Sequence, residues 1–296
     1  MRLIATLNLM TLAMSQVSAH GLITSVNGAN GVNMPGLTVI DGTPRGCPSA
    51  ACGAQKDTGI LRDGEFESNM ATPLGRTLGG GPVDPGRVIS SFMIDPDSSR
   101  PLSVKRQEKG SVPDVNNAAS VFTNAGGVIL NGAQDLVDAT PFGGGLKSAQ
   151  SAVDGLASLS TGKTPGSTTD SQARENGIQS TLGYGAAHGL PTPDDKGILR
   201  MTYHVVNQDG GGPLTADVDY TSGGKLPRAF KSVQITKNIP GVEGFSTSSA
   251  MDYEIEVQVG REKCRGFVGG ARNVCIIRIR NSAIAGPFGG SGAFTN

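Results

Sequence analysis

Ile198-Leu-Arg-Met-Thr-Tyr-His-Val-Val206 alternates Leu199, Met201, Tyr203 and Val205 with Arg200, Thr202 and His204. A period of two is what an extended strand uses to bury one face and wet the other, so this stretch is read as a half-buried β-strand with His204 on its polar side. Downstream, apolar runs at Leu214 to Tyr220, Ala229 to Ile235, Tyr253 to Val259 and Cys275 to Arg280 are separated by Gly, Pro and Asp turns. With an N-terminal strand to complete them, these five strands predict a mainly β chain. The expected architecture is an immunoglobulin-like or fibronectin-like β-sandwich with long loops. The 44 glycines and 17 prolines supply the turns that such short strands need.

Upstream, residues 20 to 94 are dense in turn formers around three short apolar runs, Leu22 to Val26, Gly36 to Ile40 and Arg87 to Ile94, and read as a loop-rich β region. Between about 98 and 185 Gly, Ser, Ala, Asn and Thr dominate. The tract 160 to 171 offers almost nothing to bury, so the stretch is read as an inserted low-complexity or partly helical segment. Within it, 131 to 159 could form one or two short amphipathic helices, interrupted by Pro141 and Gly143 to Gly145. Lys105-Arg106 is a solvated charge pair or, in an exported chain, a processing site.

The first residues carry one basic side chain, Arg2, then an apolar core from Leu3 to Met14, then Val17-Ser18-Ala19. This is the layout of a secretory signal peptide cut after Ala19, which would leave His20 first in a chain of 277 residues. That length suits one β domain spanning 20 to 296. No other segment approaches the roughly 20 apolar residues of a bilayer crossing, so the expectation is a secreted, extracellular or cell-wall-associated monomer without a membrane partner. Lys plus Arg equals Asp plus Glu at 25 each, leaving no excess positive charge to meet a phosphate backbone, and nucleic acid is not an expected partner.

Four cysteines in an exported chain allow three pairings. The local ones are favoured. Cys47 and Cys52 close a short loop, and Cys264 and Cys275 flank the Gly269-Gly270 turn of a hairpin. Zinc is the competing use, but spacings of five and eleven fit zinc-ribbon patterns poorly.

His20, His188 and His204 are the three histidines. An N-terminal His offers an α-amine, whose pKa of about 8 makes proton loss easy, and a ring nitrogen that closes a chelate with it. One further imidazole gives three nitrogens in a roughly planar set, which favours copper. This is the histidine brace of lytic polysaccharide monooxygenases. Against it stands chance, by which signal cleavage merely leaves a His and His204 is an ordinary strand residue. The termini and spacing alone leave both readings open. Gly79 to Gly81 and Gly143 to Gly145 are not phosphate loops, since no Lys-Ser/Thr follows either, and no Gly-x-Ser-x-Gly elbow with a partner His stands out.

The runs His20-Gly-Leu-Ile-Thr-Ser-Val-Asn-Gly-Ala-Asn-Gly-Val-Asn-Met-Pro-Gly-Leu-Thr-Val-Ile-Asp-Gly-Thr-Pro-Arg45, Met201-Thr-Tyr-His-Val-Val-Asn-Gln-Asp-Gly-Gly-Gly-Pro213 and Ala285-Gly-Pro-Phe-Gly-Gly290 resemble the fungal appressorium-associated Gas/Mas-type virulence proteins. The resemblance spans both ends and about two thirds of the chain. It implies a secreted fungal protein made during host or cuticle penetration, with a monooxygenase-like N-terminus that binds copper. In that pattern the polar strand leading into Asn-Gln-Asp-Gly carries a His, which makes His204 the second imidazole beside His20. His188, in a Gly-rich approach, is the alternative ligand, although a rigid strand holds a metal ligand better than a loop. By the same resemblance Phe288 is a candidate for the axial position, against the ordinary role of a Phe in core packing, and Gln208 or Asp209 for groups that hydrogen-bond an oxygen species, against that of surface turn residues. The expected activity is copper-dependent oxidation of a cell-wall polysaccharide. Without Trp and with few Tyr for ring stacking, chitosan, pectin or hemicellulose is easier to accept than crystalline cellulose or chitin. The alternative is a copper-binding or wall-associated virulence factor without turnover.

Overall fold

The computed structural model describes residues 20–68, 70–94 and 165–296. The signal peptide, the dibasic pair and the helices expected over 131 to 159 lie outside these residues. Cα proximity divides the chain into one unit of Met1–Ile94 with Val153–Asn296 and another of Asp95–Ala152. The second lies wholly outside the described residues.

The chain is mainly β. In order it forms β1 (Gly21–Asn27), β2 (Asn33–Pro35), β3 (Gly59–Ile60), α1 (Asp63–Glu67), β4 (Arg76–Thr77), β5 (Gly81–Pro82) and α2 (Pro85–Met93). After the undescribed stretch come β6 (Ser167–Thr168), α3 (Gly177–Ser180), α4 (Tyr184–His188), β7 (Ile198–Val205), β8 (Thr215–Asp219) and β9 (Phe230–Lys237). β10 (Met251–Gln258), β11 (Gly266–Val268), β12 (Ala271–Arg280) and β13 (Phe288–Phe294) complete it. Hydrogen bonding runs β2-β1-β7-β10-β9-β8-β12-β13-β3-β4-β5, with β6 on β10 and β11 on β12. Every pair is antiparallel. The mostly solvent-facing β9 joins the two halves of the sheet, which curls so that β13 crosses β1.

The curl brings Ile23, Met201, Tyr203, Ile255 and Val257 from β1, β7 and β10 against Val218, Ile277, Ile279 and Phe294 from the other half in one buried cluster. Alternation accounts for the membership, since β7, β10 and β12 send their odd-numbered apolar residues inward and β8 its even-numbered ones. Truncating one of them, such as the fully buried Met201, to Ala would cost about 2–5 kcal/mol. A second cluster fills the outer side of β12, where Val88, Ile89 and Phe92 of α2 meet Val268, Val274 and Ile276.

The strands expected from alternation are present with ends shifted by a few residues, and three features differ. Gly36 to Ile40 is a turn. Arg87 to Ile94 belongs mostly to α2, whose start is set by Asp84, accepting from the Gly86 N–H at 2.8 Å, and by Pro85. β13 is a strand made of Gly-Gly-Ser-Gly-Ala between two Phe residues, a composition with no alternation from which to expect one. A Cβ at Gly290 would lie 2.6 Å from the Ile23 nitrogen, and one at Gly292 would lie 2.4 Å from Val26 Cγ2. These glycines let the sheet close on itself.

Disulfides join Cys47 to Cys52 and Cys264 to Cys275. The second staples β12 beside the hairpin whose turn residues, Gly269 and Gly270, both have positive φ. From the stretch read as an insertion, residues 165–185 pack on the β unit. β6 pairs with the start of β10, and Glu175 forms an ion pair with Arg45.

Candidate functional site

β1 is preceded by His20, and its register with β7 sets the two buried histidines beside each other. Leu22 lies directly opposite His204, and the Val206 N–H donates to the His20 carbonyl at 2.9 Å. His20 and His204 are therefore diagonal neighbours on one face, a relation that separates backbones by roughly 7–8 Å. His204 is not solvated as the polar side of its strand suggests. It is 0% exposed and His20 2%, because Leu22, Val206, Val39 and Ala54 close over that end of the face as an apolar cluster. Only Arg200 and Thr202, farther along β7, keep the expected solvent contact.

The His204 ring is held from one side. Its Nδ1 lies 2.7 Å from Asp252 Oδ1 on β10, and Asp252 stands directly opposite His204 in the ladder. A carboxylate only accepts, so Nδ1 is the N–H and Nε2 of the neutral ring carries the lone pair. Nε2 is buried and has no hydrogen-bond partner among the described residues. A His–Asp pair is also the base half of a serine triad, but here no Ser or Thr hydroxyl meets Nε2 among those residues.

The strand end is closed by three loops. The His20 nitrogen donates to Asn207 Oδ1 at 3.0 Å, and Gly210 approaches so closely that a Cβ there would lie 2.3 Å from the His20 carbonyl oxygen. Phe288, the first residue of β13, packs its ring 5.1 Å from that of His20. Asn281 ties the loops together, donating to the carbonyls of Asp209 and Gly211 and accepting from the N–H groups of Ala283 and Phe288. Beside Asn207 lies a pocket of 240 Å³ lined by Pro48, Asn207, Gln208, Asp209 and Ser249. One wall is the Cys47–Cys52 loop. Burial pushes the Asp209 carboxyl above its usual range.

His188 is elsewhere. It ends α4, is exposed, stacks on Tyr184 at 4.1 Å, and its Nδ1 lies 2.9 Å from the Tyr184 carbonyl oxygen. The residues after it bond to Ala29 and Asn30, beyond the far end of β1 from His20. Of the candidates named from sequence, His20, His204, Phe288, Gln208 and Asp209 come together and His188 does not join them.

A family model described as "Egh16-like virulence factor" matches residues 18–289. The chain belongs to the Egh16-like family. The match spans every residue of the histidine cluster, from His20 to Phe288. Among curated relatives of this Egh16-like chain, the appressoria-specific virulence factor GAS2 of Pyricularia oryzae is 41% identical over 286 residues, covering 96% of this chain and 85% of the relative. The appressoria-specific virulence factor GAS1 of the same fungus is 37% identical over 103 residues, or 34% of this chain and 40% of that protein. No solved structure matches.

Two polar residues of the Egh16-like site, Asp252 and Asn207, escape the sequence reading. Asp252 opens the row Asp252, Glu254, Glu256 on the outer face of β10, which reads as a solvated acidic edge. Only the register tells them apart, setting Glu256 by Arg200, Glu254 by Thr202 and Asp252 by His204. Asn207 has one signal, its place two residues after the strand that carries His204. Among the described residues no three His, Cys, Asp or Glu side chains gather as a metal site. A brace would contribute only two such side chains, its third ligand being an amine.

Proposed function

We propose that this Egh16-like protein is exported, is cut before His20, and acts as a copper-dependent, lytic-polysaccharide-monooxygenase-like protein on a cell-wall polysaccharide during host penetration. The observation that carries the reading is the buried Nε2 of His204, unpartnered among the described residues, one diagonal step from His20. Burying an imidazole lone pair with no donor is unfavourable unless something else meets it, and a metal ion does so. Cleavage would turn the His20 nitrogen into an amine that donates one N–H to Asn207 Oδ1 while its lone pair stays available. His20 through its amine and ring, with His204 through Nε2, would hold the metal, and Phe288 would cover one side of the His20 ring.

Bound copper, with a reductant and dioxygen or peroxide, would supply oxidation of a C–H bond next to the glycosidic link. The chain's own share is to fix the ligands and keep water from them. The apolar residues over His204 serve the second task, and Asn281, by tying the loops, serves the first. The virulence part of the reading is supported by the similarity to GAS2, an appressoria-specific virulence factor. The pocket beside Asn207, lined by amide, hydroxyl and carboxyl groups, suits a polar glycan better than a crystalline one.

A second reading, copper storage or delivery without turnover, is favoured by the low exposure of both histidines. Incubating the copper-loaded protein starting at His20 with ascorbate and soluble chitosan, pectin or hemicellulose separates the two. Oxidised oligosaccharides by mass spectrometry are the expected products. Copper binding without any oxidised product would leave the storage reading.

A further inference from the structure

We propose that Asp252 is a positioning residue for the metal site, fixing His204 as the Nδ1–H tautomer so that the Nε2 lone pair faces the His20 amine. The proposal rests on the copper reading above. Asp252 is well placed for the task because both of its oxygens are engaged. Oδ1 meets His204 Nδ1 at 2.7 Å, and Oδ2 accepts from Thr169 Oγ1 at 3.2 Å. Its backbone is fixed twice, opposite His204 in β7 and opposite Ser167 in β6. The Thr169 N–H also donates to the Ala250 carbonyl, and the Ala250 N–H to the Val206 carbonyl. The carboxylate is thus locked from the side of residues 167–169, and the imidazole cannot turn without giving up a short, charge-assisted bond.

The asymmetry of the ring's two nitrogens is the informative feature. Core filling alone has no use for a carboxylate at one nitrogen and an unmet lone pair at the other. His204 has a carboxylate at Nδ1 and no hydrogen-bond partner among the described residues at a buried Nε2. Such a carboxylate makes the opposite nitrogen a better donor to a metal and removes the entropy of ring rotation, and losing it typically weakens metal binding by about 10–100-fold. The Glu254 and Glu256 side chains on the same face do not substitute, because the register sets them opposite Thr202 and Arg200.

The test uses protein starting at His20, with Asp252→Asn and Asp252→Leu. Asn is isosteric with Asp and retains an acceptor for Nδ1–H, while the larger, apolar Leu retains none. Two-bond nitrogen–proton correlation spectra of the metal-free proteins report the tautomer of His204, and competition titration reports the Cu(II) affinity. The expected result is an Nδ1–H ring in the wild type and in Asp252→Asn, with that tautomer lost in Asp252→Leu. The affinity should fall by about 10–100-fold in Asp252→Leu and by less in Asp252→Asn. An Nε2–H ring in the wild type, or equal affinities in all three proteins, would overturn the proposal while leaving copper binding itself in place. A wild type with the expected tautomer but no copper affinity would instead remove the metal reading, and the proposal with it.

Discussion

At the scale of single residues, the structure separates the histidines by what holds them. His204→Ala should abolish the type-2 copper signal in paramagnetic resonance or shift it to a looser ligand set, while His188→Ala should leave it nearly unchanged, because His188 is exposed beyond the other end of β1. The reverse pattern would transfer the role to His188. Asp219 makes a separate, pH-dependent prediction. Burial alone would raise its carboxyl, but the Ser222 hydroxyl and the backbone N–H groups of Ser222, Thr221 and Gly224 outweigh burial and hold it below its ordinary 3.8. A folded value below the unfolded one contributes stability above the unfolded value, and that stability is lost as pH falls through the folded value. Asp219→Asn, which faces those donors with an amide, should lose about 1–3 kcal/mol near neutral pH in urea denaturation. Its stability should also fall less steeply than the wild type's below about pH 4. Parallel pH profiles would show that Asp219 does not carry the acid sensitivity.

At the scale of elements, the strands that alternate were legible and those built on other devices were not. β7, β10 and β12 announce themselves through period two. α2 hides behind the apolar run Val88-Ile89, yet Asp84-Pro85 before it is a helix start that the sequence does print, and Asp84→Ala should cost about 1 kcal/mol in thermal unfolding. β13 has no such signal, since its central glycines are chosen by contacts with Ile23 and Val26 some 270 positions away. Gly290→Val, whose side chain would meet the Ile23 backbone, should therefore destabilise by clearly more than Gly31→Val, which at a site with no atom within 4 Å but a positive φ should cost only the backbone strain of about 1–2 kcal/mol. Equal losses at the two positions would mean that β13 does not press on β1 as described.

For the whole molecule, the N-terminus is the part whose meaning depends on the rest. His20, His204 and Phe288 could be named as candidates from sequence because they lie in long, distinctive runs. Asp252 and Asn207 could not, because their roles exist only after β1, β7 and β10 are set in register. Arg45 sits between these cases. It closes the first of those runs, and the fold uses it as a buried tie, paired with Asp57 at 2.7 Å and Glu175 at 2.5 Å, between the N-terminal loops and the residues that lead into α3. Arg45→Met would leave Asp57 buried without its cation and should cost about 3–5 kcal/mol in chemical denaturation.

The central claim is that the amine created at His20 is one of three nitrogens around a copper ion. Calorimetric titration of Cu(II) into protein beginning at His20, beside protein that retains Ala19, tests it most directly. One tight site is expected in the first and binding weaker by about 10-fold or more in the second, since an extra residue converts the ligand amine back into an amide. Equal affinity in the two proteins would contradict the account.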